Sequence, residues 1–246
     1  MSGETLLEVA TLGKRFGGFV ALNGVDLRVA AGERVGLIGP NGSGKSTLVN
    51  CIAGALRNDT GSVRFAGRRI DGLSGHRRAR LGLARSFQLP RPFRSLSVAD
   101  NIRIPLLYAA ADRGKDHHDS AAIARRIDEL LDLVGLRAKG GRAPRELTQV
   151  EMRKLELARA IAAEPKLLIA DEAMAGLSHS EVDEVLALLL RLNERGIAII
   201  MIEHILHAVV SFSQRLAVLV AGVKIADGPP RDVVRNPDVE RAYLGE

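Results

Sequence analysis

The run Gly39-Pro40-Asn41-Gly42-Ser43-Gly44-Lys45-Ser46-Thr47 satisfies the pattern G-x-x-x-x-G-K-[ST] in full. Glycines at these positions let successive backbone N–H groups curl around phosphate oxygens where a Cβ would clash. A helix opening behind such a loop adds partial positive charge, worth about 0.3–1 kcal/mol per anionic group at an exposed site. In that setting Lys45 bridges terminal phosphates and Ser46 ligates Mg²⁺. A second chemical group lies far downstream, where the apolar run Leu167-Leu168-Ile169-Ala170 ends in Asp171-Glu172. Carboxylates at the C-terminal tip of a strand sit at the sheet edge where phosphates bind. Asp171 suits Mg²⁺ coordination through water, and Glu172 can polarise an attacking water as general base. The cradle by itself fits kinases, GTPases, helicases and transport ATPases alike.

The elements around these groups can be read from periodicity. Val35-Gly36-Leu37-Ile38 predicts a buried strand feeding the glycine loop, and Ser46 to Ala53 a helix leaving it. Leu6 to Val9, Val25 to Val29 and Ser62 to Phe65 alternate as strands, the last followed by a Gly-Arg-Arg turn. From about Ser97 to Ala163 the pattern turns helical, with apolar residues at i, i+3, i+4 in Ile123 to Val134. Strands return at Leu167 to Ala170 and Ala198 to Ile202, separated by a helix from Ser180 to Arg195 with Ser180 as the expected N-cap. Leu216 to Val220 and Lys224-Ile225 suggest a hairpin around Ala221-Gly222, and a short helical piece follows Pro229-Pro230. Apolar strands alternating with helices predict an α/β fold with a mainly parallel sheet covered on both faces.

The 246 residues are 46% hydrophobic and 26% charged, ordinary for a globular domain. Apolar stretches such as Ile197 to Ile202 are too short to cross a bilayer, and Met1-Ser2-Gly3-Glu4 opens without a signal-peptide pattern. Cys51 is the only cysteine, so no intramolecular disulfide forms, and it reads as a small buried apolar residue. The net charge of +6 could serve nucleic acid or anionic lipid, yet aromatic residues are only 3% and none interleave with the basic clusters Arg77-Arg78 and Arg125-Arg126. No nucleic-acid partner is expected. The segment Ala111 to Ser120, with Asp112, Asp116, His117, His118 and Asp119, reads as a solvated loop rather than a metal site.

The order of cradle, helical insertion and strand–Asp–Glu resembles the ATP-binding subunits of ABC transporters over nearly the whole chain. The resemblance implies a P-loop NTPase core with a mainly parallel sheet, an N-terminal antiparallel β subdomain and an inserted α-helical subdomain. It implies one ABC ATP-binding domain over residues 1–246, with the nucleotide-binding core in 1–92 and 164–246 and the insertion at about 93–163. ATP and Mg²⁺ are the implied cofactors. Phe16, in Leu12-Gly13-Lys14-Arg15-Phe16-Gly17, matches the aromatic that stacks on adenine. Gln88, in Arg85-Ser86-Phe87-Gln88-Leu89, matches the glutamine that senses Mg²⁺ and the γ-phosphate and links to the membrane subunit. His204, in Ile202-Glu203-His204, matches the switch histidine that contacts the γ-phosphate.

The family's signature, typically Leu-Ser-Gly-Gly-Gln, caps ATP held by the other subunit of a head-to-tail dimer. Here the matching stretch is Leu147-Thr148-Gln149-Val150-Glu151. Thr148 keeps a hydroxyl able to donate to the γ-phosphate, while Gln149 and Val150 replace glycines and restrict close backbone approach. Ala173 stands where proline commonly follows the acidic pair, and Ser178 where a polar dimer contact is usual. The tail from Ala226-Asp227-Gly228-Pro229-Pro230 to Asn236-Pro237-Asp238, with Tyr243-Leu244-Gly245, looks like the end of the branched-chain amino acid transport ATP-binding family. That resemblance implies an importer in which this chain pairs with a second ATP-binding subunit on the cytoplasmic face of the membrane. Its other partners are then permease subunits and, indirectly, a solute-binding protein. The basic residues Arg91, Arg94 and Arg103 lie where the permease is expected to dock. Urea and lipopolysaccharide transporters share parts of the tail. The altered signature also leaves open an ATP-gated clamp whose active partner supplies hydrolysis.

Overall fold

The computed structural model describes residues 4–86, 90–108 and 119–244. Gln88 and most of the acidic segment 111–120 lie outside those residues. The chain begins with β1 (Thr5–Phe16), β2 (Phe19–Ala30), β3 (Arg34–Ile38), α1 (Lys45–Ala53), β4 (Thr60–Phe65), β5 (Arg68–Arg69), α2 (Gly75–Leu81) and β6 (Leu83–Arg85). Helices α3 (Val98–Tyr108), α4 (Ser120–Val134) and α5 (Gln149–Ala162) follow, in the stretch expected to be helical. The remainder alternates as β7 (Leu167–Asp171), α6 (His179–Glu194), β8 (Ala198–Ile202), α7 (Leu206–Phe212), β9 (Arg215–Val220), β10 (Val223–Gly228), α8 (Pro230–Val233) and α9 (Pro237–Leu244).

Two sheets result. The first is four-stranded, ordered β2-β1-β4-β5 and antiparallel throughout. The second is six-stranded, ordered β10-β9-β3-β8-β7-β6. Its pairings from β9 through β6 are parallel, and only the β9–β10 hairpin at the edge is antiparallel. The expected α/β architecture, with its N-terminal antiparallel sheet, is therefore the one observed.

The all-apolar strands are explained by side-chain alternation. Along β8, Ile199 and Met201 enter one core with the helices α3 to α6, while Ala198, Ile200 and Ile202 enter a second core against α1 and the antiparallel sheet. Strand β7 divides likewise, Leu168 and Ala170 to one side, Leu167 and Ile169 to the other. Each fully buried aliphatic side chain contributes about 1.5–3 kcal/mol relative to exposure, so these strands form a rigid base for whatever their tips carry. Cys51 is fully buried in the second core, as its type suggested.

Helix ends follow capping chemistry. Asp119 caps α4, its carboxylate accepting from the Ala121 N–H at 2.9 Å, and Gly135 closes it in the left-handed conformation. Arg78, taken in the sequence for part of a basic cluster, is 1% exposed. Its guanidinium donates to the carbonyls of Cys51 and Ile52, both at 2.6 Å, satisfying the C-terminal end of α1. Helix α6 is capped by Ser178 rather than the expected Ser180. Ser178 N–H and Oγ both donate to Glu181 Oε2, at 2.8 and 2.7 Å, so the helix starts two residues earlier, where the longer glutamate side chain reaches back to the cap. The expected Gly-Arg-Arg turn is a tighter one at Ala66-Gly67, with Arg68 and Arg69 already in β5. Helices α2 and α7 and strand β6 are too short for periodicity to reveal. Among the described residues no helix is long and apolar enough to cross a membrane.

Candidate functional site

Strand β3 runs centrally in its sheet and ends at Gly39, φ +151. A Cβ there would stand 2.1 Å from the Leu219 carbonyl oxygen, so only glycine lets the chain leave the strand beside β9. Gly44, φ +103, is confined in the same way, with a Cβ 2.7 Å from the Ala21 carbonyl oxygen of β2. The loop between them turns directly into α1. Gly44 caps that helix without a side-chain hydrogen bond, and its first turn carries no acidic residue. Its leading N–H groups and the positive end of its dipole therefore stay open to an anion.

Lys45 is 7% exposed and folds back on the loop. Its Nζ donates to Gly39 O at 2.7 Å, Pro40 O at 3.0 Å and Ser43 Oγ at 3.3 Å. Burial lowers the pKa of the ammonium, opposed by the charges of Glu172 and Asp171. All its present acceptors are neutral, so a phosphate oxygen would replace them with a charge-assisted bond.

The acidic pair sits at the tip of β7. Asp171 is 6% exposed, and its Oδ2 accepts from Arg85 Nη2 at 2.6 Å. Arg85 also donates to Asn50 Oδ1 of α1 at 2.6 Å, tying β6, β7 and the cradle helix together. Glu172 has φ +48, a left-handed conformation that costs a side-chain-bearing residue roughly 1–3 kcal/mol. Its N–H donates to Ile202 O at 2.8 Å, and its Oε1 lies 3.0 Å from His204 Nε2. A protonated Nε2 donates there, which orients the carboxylate.

One cleft of about 250 Å³ gathers most of these groups. Its walls include Asn41, Gly42, Ser43, Gly44, Lys45, Ser46 and Thr47, together with Glu172 and His204. Gly39 and Asp171 lie behind that wall, Gly39 under Lys45 Nζ and Asp171 close enough to act on Lys45 electrostatically. Phe16 stands at the mouth, with Lys14 Nζ 5.5 Å from its ring centroid. Phe19 pairs with Phe16 across the β1–β2 hairpin and lines the same mouth at 64% exposure, a second aromatic that sequence reasoning missed. Arg85 was missed as well, because nothing local marks a three-residue strand. The glycine loop, the buried lysine and the open helix end fit a polyphosphate. The Asp171 carboxylate and the Ser46 hydroxyl are donors suited to Mg²⁺.

Thr148 does not line this cleft. It caps α5: its Oγ1 accepts from the Glu151 N–H at 3.3 Å, and Glu151 Oε2 accepts from the Thr148 N–H at 2.9 Å. Glu151 is further paired with Lys139 at 2.6 Å, the chief reason its carboxyl titrates below the usual range. Gln149 Nε2 donates to Ala175 O at 3.4 Å, and Val150 packs against the helical core. Of the basic residues after Gln88, Arg91 offers its carbonyl to Arg159 Nη1 at 2.7 Å and Arg103 pairs with Asp100 at 3.4 Å.

Comparison with known proteins agrees with this geometry. The ABC transporter family model matches residues 22–175, and a second model, described as branched-chain amino acid ATP-binding cassette transporter, matches residues 223–246. The chain is 36% identical to the high-affinity branched-chain amino acid transport ATP-binding protein BraF of Pseudomonas aeruginosa, with 98% of each chain covered. It is 34% identical to the similarly described LivG of Escherichia coli, with 99% of each covered. A solved nucleotide-free ATP-binding cassette from an ABC transporter superposes with a TM-score of 0.88 at 30% identity, covering 98% of this chain and 100% of that one.

Proposed function

Because the chain belongs to the ABC transporter family, as one of its ATP-binding subunits, we propose that it hydrolyses ATP to drive uptake of branched-chain or other hydrophobic amino acids. Its similarity over full length to proteins described as branched-chain amino acid transport ATP-binding proteins supports the solute class, as does the matched tail. In this reading it works at the cytoplasmic face of a membrane with a second ATP-binding subunit, permease subunits and, through them, a solute-binding protein. Residues 1–92 and 164–246 form its nucleotide-binding core and about 93–163 its inserted helical subdomain.

The observation that carries the reading is the meeting of the Gly39–Thr47 cradle with the Glu172–His204 pair in one cleft. Lys45 and the open end of α1 bind the phosphates. Ser46, Asp171 and Gln88 hold Mg²⁺, Arg85 keeping the Asp171 carboxylate in place. ATP supplies the phosphoanhydride bond that is broken. His204 orients the Glu172 carboxylate, which accepts a proton from the attacking water. Phe16 and Phe19 offer apolar faces to the base. Thr148 carries the hydroxyl that in this reading meets the γ-phosphate held by a second subunit. The groove beside α3, about 560 Å³ and lined by Phe93, Pro105, Tyr108, Glu156 and Arg159, is the proposed permease seat.

Glu172→Gln is the direct test. It keeps shape and ATP binding but cannot take the proton, so phosphate release is expected to fall on the order of 100-fold or more. Full activity in that variant removes Glu172 from its role. The clamp reading is favoured by one observation, the engaged N-terminus of α5. It gains if phosphate release appears only with a partner subunit and survives Glu172→Gln.

A further inference from the structure

The left-handed turn at Glu172 needs something to hold it, and the hydrogen bond to Ile202 is the last rung of the β7–β8 ladder. Beyond that rung the chain after β8 reaches back to the turn twice. His204 meets the Glu172 carboxylate. Glu203, its neighbour on the opposite face, turns into the protein, where it is 5% exposed and its Oε1 accepts from the backbone N–H of Met174 at 2.8 Å. We propose that Glu203 is a positioning residue for ATP hydrolysis, fixing through the Met174 N–H the turn that aims Glu172 into the cleft. The proposal rests on the hydrolysis reading above.

The turn is held on its far side as well. Ala175 O accepts from Arg153 Nη2 at 3.2 Å and from Gln149 Nε2 at 3.4 Å, both on α5. Arg153 is 6% exposed, and Glu203 is the strongest of the charges acting on it, ahead of Glu156 and Glu172. Ala173 and Met174 are themselves buried, so the segment from Glu172 to Ala175 is fixed by packing, by Glu203 from one side and by α5 from the other. A buried carboxylate is an expensive way to satisfy backbone N–H groups, since desolvation penalises its charged form. Its retention here fits a site where an ångström of displacement at Glu172 matters more than local stability. Reach, rather than charge, is the property assigned to it: the Glu203 side chain spans to a backbone N–H two residues past Glu172.

Reach and charge can be separated. Glu203→Gln keeps length and acceptor without the charge. Glu203→Asp keeps the charge and loses a methylene. Glu203→Ala loses both. In steady-state phosphate release, Glu203→Ala and Glu203→Asp are expected to lower kcat about tenfold or more, with KM for ATP changing less than about threefold. Glu203→Gln is expected to recover kcat to within about threefold of the wild type. Thermal unfolding of each variant and binding of a fluorescent ATP analogue accompany the kinetics. An active Glu203→Asp with an inactive Glu203→Gln makes charge the operative property and overturns the proposal. So does a parallel collapse of kcat, nucleotide affinity and melting temperature in all variants. Wild-type turnover that disappears in Glu172→Gln but persists in Glu203→Ala overturns the positioning role alone. A wild-type chain that releases no phosphate, alone or with a partner, overturns the hydrolysis reading and this proposal together.

Discussion

Helices α1 and α5 treat their first turns in opposite ways. At α1 the cap is a glycine with no side chain to offer, the first turn has no acid, and the lysine behind it is held only by neutral acceptors. At α5 Thr148 and Glu151 cap each other, Lys139 neutralises the glutamate, and Gln149 lies across to Ala175. One end is left electrostatically unfinished and so invites an anion. The other is finished by its own chain. The same element thus serves as a binding site or as a structural joint, depending on whether its leading N–H groups are already engaged.

The contrast can be broken most severely at Lys45. Lys45→Ala removes the charge behind the open end and is expected to weaken Mg-ATP binding at least about 100-fold in a titration of the isolated chain. Retained affinity makes the α1 end an ordinary turn.

A smaller effect sharpens the joint beneath α5. Burial pushes the Glu203 carboxyl up to about 7 from its ordinary 4.5, with the charge of Glu172 adding to the rise and hydrogen bonds from Met174 and His204 opposing it. The folded chain therefore holds that proton more tightly than the unfolded one. The stabilisation is fully present below pH 4.5 and is lost as pH rises through about 7. Relative to Glu203→Gln, which does not titrate, the wild type is expected to lose on the order of 2–3 kcal/mol of unfolding free energy between pH 5 and pH 8. Denaturant titrations at the two pH values check it, and a constant difference removes the buried titration.

The mildest change is Thr148→Ala. Losing one side of a capping box costs about 1 kcal/mol of stability. Because Thr148 lies off the cleft of its own chain, nucleotide affinity of the isolated subunit is expected to stay within about twofold. A large loss of affinity there means that α5, like α1, binds the nucleotide of its own subunit.

Much of the site was legible before any coordinates. The cradle is contiguous, so its glycines and lysine are adjacent in sequence and in space. The strand ending in Asp171-Glu172 announced itself because burial on both faces demands an uninterrupted apolar run. The cap of α6 was expected two residues too late, at Ser180, because which of two nearby serines meets a carboxylate depends on where the backbone first turns helical. Phe19 went unread because its partnership with Phe16 depends on the hairpin register.

What the sequence alone determined is the chemistry that neighbouring residues perform: the phosphate loop, the paired carboxylates at a strand tip, and the alternation of strand and helix. Tertiary structure decided which distant groups hold that chemistry in place. Arg85 reaches Asp171 across 86 residues, Glu203 reaches Met174 across 29, and Gln149 reaches Ala175 across 26. No local pattern encodes such pairs, because their energy arises only when the sheet brings strand tips side by side and burial makes an unpaired charge or N–H costly.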